Sequence, residues 1–383
     1  MTIMRIIADE NMALVHHFFG HLGQLECVSG RHLHPEQVRD ADILLVRSVT
    51  TVNKALLDQS RVRFVGSATI GADHLDMQWL NEQGITVSTA PGCNARSVVD
   101  YVLTALIHLA NQYQFDLTQR VLGIVGLGNV GYLLAKTAQQ MGLRVLGCDP
   151  LVTRTDIEQL PLNELLEQAD IVSLHTPLTK TGTYPTYHLL NAQNLQNLKK
   201  QSILINTGRG AAIDNRALLD FLTHRPNYLQ AVVLDVWEHE PLPNADLMPL
   251  TTIATPHIAG YSLEGKWQGT AFIYQALCQF LQREPQYRLA DFLPPNRQLQ
   301  SIQETGQLWP DLHQVLAQVY PIVNDDTALR QTLGLIDSER ALAFDQLRKH
   351  YWQRRDLTAY DASHTLYSSK LQTMLVAMGL KTA

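Results

Sequence analysis

Cysteine is scarce in this chain, and where it occurs it is scattered. Cys27, Cys93, Cys148 and Cys278 are the only four in 383 residues, with no C-x-x-C pair among them. A disulfide-stapled scaffold is therefore excluded, no metal site is expected, and a reducing cytoplasm is the natural compartment. Long apolar runs are missing as well. The longest, Val98 to Ala110, is broken by Asp100 and His108. It is too short to span a bilayer and predicts a buried helix, so no membrane partner is expected. The opening residues, Met1 to Asp9, place Arg5 and Asp9 around a short apolar run, which is not the make-up of a signal peptide. Nor is positive charge in excess. Thirty Lys and Arg against 36 Asp and Glu give a net charge of −6, which argues for solubility and against a nucleic-acid partner. No internal repeat or low-complexity segment stands out. What is present is 45% hydrophobic residues over a length suited to two or three domains with real cores.

Short apolar runs alternate with amphipathic stretches from the start. Ile3–Ala8, Leu25–Val28, Ile43–Val46, Phe64–Ala68 and Ile85–Ser88 read as strands; Met12–Leu22, Asn53–Leu57 and Asp73–Gln83 read as helices between them. That rhythm predicts βα units and a parallel sheet. Pro91-Gly92 interrupts it, and a long helix follows over about Ala95 to Gln112. A second series then supplies strands at Val121–Val125, Arg144–Cys148, Ile171–Leu174, Ile203–Ile205, Ala231–Leu234 and Ile253–Ala254. Six strands is the count of a doubly wound dinucleotide domain. A helix over about Leu263 to Gln282 and the Leu293-Pro-Pro-Asn296 break come next. Beyond them, Pro310 and Ser338 mark helix starts in a tail with no catalytic-looking cluster.

Gly126, Gly128 and Gly131, with Asn129 and Val130 between them, follow the Val121 strand and open an amphipathic helix. Such glycines allow a tight turn, close backbone approach to a pyrophosphate and close helix packing, while the helix N-terminus favours anions. The motif alone is weak; its context strengthens it. Asp149 ends the next strand, eighteen residues after Gly131, where a carboxylate accepts ribose hydroxyls and repels a 2′-phosphate. NAD is therefore expected over NADP, with Arg154 a nearby cation that counts the other way.

Three later segments each end a strand with a functional side chain: Arg209 in Asn206-Thr-Gly-Arg-Gly210, Glu240 before Pro241, and His257 in Thr255-Pro-His257. An imidazole titrates near working pH and can take a hydroxyl proton. A carboxylate beside it fixes its tautomer; Glu240 is the candidate and Glu238 the competitor. An arginine can bind a substrate carboxylate with both prongs. Alone, His257 is one of fifteen histidines. Together, on successive strand ends, the three point to hydride transfer with a 2-hydroxy acid.

The Gly126–Gly131 turn, Ala169-Asp-Ile-Val-Ser-Leu-His-Thr-Pro-Leu178, Asn206–Gly210, Asp235–Pro241 and Thr255–Gly260 resemble the D-isomer-specific 2-hydroxyacid dehydrogenases, over roughly residues 1–285. The resemblance implies Arg209, Glu240 and His257 as the catalytic set, and Thr176, Thr207, Asp235 and Gly260 as further cofactor contacts. It implies a flavodoxin-like substrate (lid) domain over 1–95, completed by a helix near 263–285, and a Rossmann-type NAD domain over 96–262. A small C-terminal α/β dimerisation domain over 290–383 completes it. Val46–Thr50, Gly66–Asp76 and His257–Lys266 look most like a branch that oxidises phosphorylated 2-hydroxy acids, with Ser48, Thr69 and Tyr261 as implied substrate contacts. Two rivals are another member such as 3-phosphoglycerate dehydrogenase, and a nucleotide-sensing corepressor on the same fold. Leu312, Val315, Leu316, Val319, Leu342, Phe344, Leu347, Tyr351 and Trp352 make the tail too apolar to be exposed, so a homodimer through it is expected. Arg348, Lys349, Arg354 and Arg355 are candidates to reach a neighbouring subunit, or else form a solvated helix face.

Overall fold

The computed structural model describes residues 3–365 and 367–382. They divide into two compact units, 1–94 with 262–295, and 95–261 with 296–383.

In the first unit five strands form one parallel sheet: β1 (Arg5–Asp9), β2 (Gln24–Val28), β3 (Ile43–Val46), β4 (Phe64–Ser67) and β5 (Thr86–Ser88). Their order, β2-β1-β3-β4-β5, is the flavodoxin-like arrangement. β3 and β4 are buried at every position, which is why they read as unbroken apolar runs. The helix Leu263–Phe280 returns from far along the chain to pack on this sheet. Gly66 makes room for it, since a Cβ there would lie 2.3 Å from the Ile273 side chain. Two expected helices are shorter than their apolar pattern. One spans only Val15–Phe19, preceded by Leu14 in the left-handed region (φ 55°) and followed by Gly20. The other spans Met77–Glu82, because Asp76 caps it by accepting from Trp79 N at 3.1 Å.

The second unit carries seven parallel strands, β6 (Val121–Val125), β7 (Arg144–Cys148), β8 (Glu158–Gln159), β9 (Ile171–Leu174), β10 (Ile203–Asn206), β11 (Ala231–Leu234) and β12 (Ile253–Ala254). Their order is β12-β11-β10-β9-β6-β7-β8. Six were expected. The seventh, β8, is a two-residue polar edge strand that carries no apolar signal. The chain order reverses between β6 and β9, the position at which doubly wound sheets bind nucleotides.

Residues 296–383 group with this unit rather than forming a compact unit of their own. They are mainly helical, with one two-residue parallel pair, β13 (Arg297–Gln298) and β14 (Tyr360–Asp361). Leu312, Val315, Leu316 and Val319 are buried in one cluster with the helix Ala95–Tyr113, and Phe344 is buried in the other cluster of this unit. The chain itself therefore covers much of the apolar face expected to need a second copy. Leu335, Ile336 and Leu342 are the exposed apolar residues around the helix Asp337–Lys349. Among the described residues no helix is long and apolar enough to cross a membrane.

Candidate active site

At the β6–β9 switch point the fold itself requires two of the three glycines, for different reasons. Gly126 has φ +92°, a conformation L side chains rarely adopt. A Cβ on Gly131 would sit 1.9 Å from the Gly126 carbonyl oxygen. A Cβ on Gly128 would meet no protein atom within 4 Å, so internal packing does not demand glycine there. Open space lies over the start of the helix Asn129–Gln140, whose N-cap, Gly128, offers no side-chain hydrogen bond. Asn129 is exposed at this mouth and Val130 is partly buried against the core. Beside the turn, Thr176 is buried with its hydroxyl unpartnered. A bare helix N-terminus, an open approach and an orphaned hydroxyl fit a bound dinucleotide.

Asp149 braces this turn. Its Oδ2 accepts from Leu127 N at 2.8 Å and its Oδ1 from Leu151 N and Val152 N. A carboxylate has about four acceptor positions, so capacity remains for a ligand hydroxyl. Arg154 lies 4.1 Å from the Tyr132 ring centroid and donates to the Leu127 carbonyl through Nε and Nη2. Thr207 Oγ1 is 3.1 Å from His175 Nδ1, and Ser173 Oγ is 2.9 Å from Nε2. Burial pushes the His175 imidazole down to about 3, so it is neutral.

Arg209, Glu240 and His257 line one pocket of about 320 Å³. Two devices bring them together. Asn206 ties the turn after β10, its amide donating to the Arg209 carbonyl at 3.0 Å and its Oδ1 accepting from Gly208 N at 3.1 Å. Gly210 then lets that turn press on the loop after β11; a Cβ there would lie 2.0 Å from the Trp237 carbonyl. In that loop Glu240 Oε1 accepts from Trp237 N at 2.9 Å, while Oε2 meets His257 Nδ1 at 2.7 Å. Glu240 is the glutamate that meets His257; Glu238 has other partners, with Oε1 2.8 Å from His188 Nε2 and Oε2 accepting from Asn215 N at 2.8 Å.

The Glu240 carboxyl would be raised by burial. The His257 ring, its hydrogen bond, the Trp237 N–H and the charge of Arg348 outweigh that and hold it below its ordinary value. An ionised Glu240 can only accept, so it selects the tautomer with the proton on Nδ1 and leaves Nε2 as the basic nitrogen.

His257 itself sits at φ 56°. Asp235 holds it there. Its carbonyl accepts from His257 N at 2.7 Å, Oδ1 accepts from Thr255 Oγ1 at 2.7 Å and Ile258 N at 2.8 Å, and Oδ2 accepts from Ala259 N at 2.9 Å. This buried carboxylate is thus spent largely on the loop backbone, a use that no sequence pattern announced. Gly260 and Tyr261 close the loop, with Tyr261 N donating to the Ile258 carbonyl at 2.8 Å. Ser48 and Thr69 belong to the first unit, in the turns after β3 and β4. Ser48 is exposed, whereas Thr69 Oγ1 is engaged with Ser67 Oγ at 2.7 Å. Lys180, Tyr187 and Trp237 also line the pocket and were not foreseen. Lys180 and Tyr187 lie in an exposed polar loop that gives no periodic signal.

The D-isomer specific 2-hydroxyacid dehydrogenase NAD binding domain matches residues 106–259, and a domain of unknown function, DUF3410, matches residues 292–379. The erythronate-4-phosphate dehydrogenase of Cellvibrio japonicus is 46% identical over 99% of this chain and 100% of its own length. That of Pseudomonas fluorescens SBW25 is 47% identical over 98% of this chain and 99% of its own. Among solved structures, the TT0316 protein of Thermus thermophilus aligns with a TM-score of 0.63 and 27% identity, over 74% of this chain and 99% of that one. The D-lactate dehydrogenase of Aquifex aeolicus, solved with NAD and lactic acid, aligns at 0.62 and 23% identity over 73% and 95%, a likeness of fold. The chain belongs to the erythronate-4-phosphate dehydrogenase family of D-isomer-specific 2-hydroxyacid dehydrogenases.

Proposed function

We propose that the protein oxidises 4-phospho-D-erythronate at C2 to 3-hydroxy-2-oxo-4-phosphobutanoate, a step of pyridoxal 5′-phosphate (vitamin B6) biosynthesis. The observation that carries this reading is the 2.7 Å Glu240–His257 pair in one pocket with Arg209, within a family named for that substrate. Arg209 binds the substrate C1 carboxylate and polarises the neighbouring C2 oxygen. His257 Nε2 takes the C2 hydroxyl proton as the C2 hydrogen departs with its electron pair. Glu240 stabilises the imidazolium that results. NAD, when bound, supplies the acceptor for that hydride. Gly126, Gly128, Asn129, Val130 and Gly131 cradle its pyrophosphate, and Asp149 takes the ribose hydroxyls. Thr176, Thr207 and Gly260 line the rest of its site, and Asp235 serves it by fixing the loop. Ser48, Thr69 and Tyr261 are the proposed substrate contacts.

The balance is one hydroxy acid and one NAD⁺ to one oxo acid, one NADH and one proton. A panel of phosphorylated and unphosphorylated three- and four-carbon 2-hydroxy acids, followed at the reduced-nicotinamide band, tests it. Preference for 4-phosphoerythronate is expected. Faster turnover of 3-phosphoglycerate would replace the substrate, and no turnover of any acid would favour the nucleotide-sensing reading. We further propose a homodimer whose interface draws on exposed Leu335, Ile336 and Leu342. A one-subunit mass by light scattering would refute it.

A further inference from the structure

The helix Asp337–Lys349 lies within the segment that matches a domain of unknown function, and the chemistry proposed above gives that segment no part. Its last turn nevertheless reaches the loop that carries His257. Arg348 Nη2 donates to the Tyr261 hydroxyl at 3.0 Å, and its guanidinium lies 5.5 Å from the Tyr261 ring centroid. Tyr351 packs edge-on against Tyr261, with ring centroids 6.0 Å apart, and is itself held by donating to Asp325 at 2.7 Å. Arg354, almost wholly buried, donates to the Ala259 carbonyl. Side chains at 348, 351 and 354 thus hold residues 259 and 261, at the end of the Asp235-braced turn.

Two observations separate Arg348 from an arginine on a solvated helix face. Its Nε is buried without a hydrogen-bond partner, a costly state for a guanidinium that packing alone does not ask for. Its charge also acts on Glu240, where it joins the His257 ring in keeping the carboxyl ionised. The hydrogen bond has a chemical consequence too. A phenol that accepts from a guanidinium keeps its own proton to donate elsewhere, in a direction the arginine fixes.

We propose that Arg348 is a positioning residue for the reaction, holding Tyr261 as an oriented hydrogen-bond donor at the end of the His257 loop. The C-terminal segment serves catalysis through it, within the same chain. The inference rests on His257 being the acid/base.

The test is a double-variant cycle on the full chain with NAD and 4-phosphoerythronate, with thermal melting to establish folding. Arg348→Met is expected to lower kcat more than about threefold with KM for NAD unchanged, and Arg348→Lys to restore most of the loss. Tyr261→Phe should cost a similar amount, and the double variant should be no worse than the worse single, because both remove one contact. If Arg348→Met does not fold, Arg348→Gln, which removes the charge and is too short to reach Tyr261, with and without Tyr261→Phe gives the same cycle. A kcat for the Arg348 variant within about threefold of wild type, or losses that multiply in the double variant, overturns the inference. His257→Asn separates the two readings. A silent Arg348→Met beside an inactive His257→Asn overturns this inference alone, whereas an active His257→Asn overturns the acid/base assignment beneath it.

Discussion

Glu240→Gln is the most discriminating single change in the proposed site, because the substitution keeps the shape and removes two separate functions. Glu240 uses both oxygens: one accepts from Trp237 N at 2.9 Å, the other from His257 Nδ1 at 2.7 Å. Glutamine has one oxygen and one NH₂. With the oxygen toward Trp237, the NH₂ faces Nδ1, which must then accept; the ring proton moves to Nε2, and the base is lost. With the oxygen toward Nδ1, two donors confront each other at Trp237. The tautomer loss alone costs about 10⁴ in the comparable aspartate-to-asparagine change of the serine-protease triad. The lost charge adds to it. Two unit charges about 4 Å apart attract by about 4 kcal/mol at an effective dielectric of 20. Here the side chains are 22% and 32% exposed, and solvent screening leaves roughly half of that. The expected fall in kcat for oxidation is therefore about 10⁴ or more, with the acid limb of the pH profile displaced to lower pH because protonated imidazole has lost its counter-charge. Initial rates of NADH formation across pH measure both quantities. A variant with an unmoved profile and wild-type rate would refute the assignment and return attention to Glu238.

Arg209→Lys should raise KM for the hydroxy acid by about tenfold or more while leaving KM for NAD unchanged, since lysine lacks the planar fork; equal effects on both ligands would count against a carboxylate site. Asp149→Ala should weaken NAD binding and narrow the preference for NAD over NADP, and equal kcat/KM for both cofactors in the wild type would sink the premise. His175 is held neutral by burial, its value depressed from 6.5 to about 3. The unfolded chain therefore takes up a proton that the folded one refuses, and stability is lost as pH falls from 6.5 toward 3. His175→Gln should flatten that part of the denaturation-midpoint profile, and an unchanged slope would show that the ring titrates normally.

Much of this fold was legible because its strands are buried on both faces. Ile43–Val46, Val121–Val125, Arg144–Cys148, Ile171–Leu174 and Ala231–Leu234 end where their apolar runs end. Failures came where burial gives no pattern. β8 is Glu158-Gln159 at a sheet edge, and β13 is Arg297-Gln298; neither differs from loop in composition. The tail is legible only in part. Its apolar residues call for cover, and Leu312, Val315 and Leu316 find it within the chain in one cluster with the helix Ala95–Tyr113, whose own buried surface extends over most of its circumference. A helix that apolar needs cover on several sides, and sequence alone does not say which segment supplies it.

The same limit applies within the site. Arg209, Glu240 and His257 could be picked out because each is a chemically distinctive residue at a strand end. Asp235 was given a cofactor role by likeness, whereas its hydrogen bonds go to the backbone around His257. The two readings have a common physical root. A left-handed φ at His257 is costly for a side chain of that size unless the surroundings over-determine it. Three donors from Thr255, Ile258 and Ala259 converge on the Asp235 carboxylate and supply that determination. The precision of the Glu240–His257 contact therefore depends on a residue that touches neither ring nor carboxylate through its side chain. Residues that make backbone geometry, such as Asp235, Asn206 and Gly210, leave a weaker trace in sequence than residues that make chemistry. Their hydrogen bonds and close approaches become visible only once the strands that carry them lie side by side.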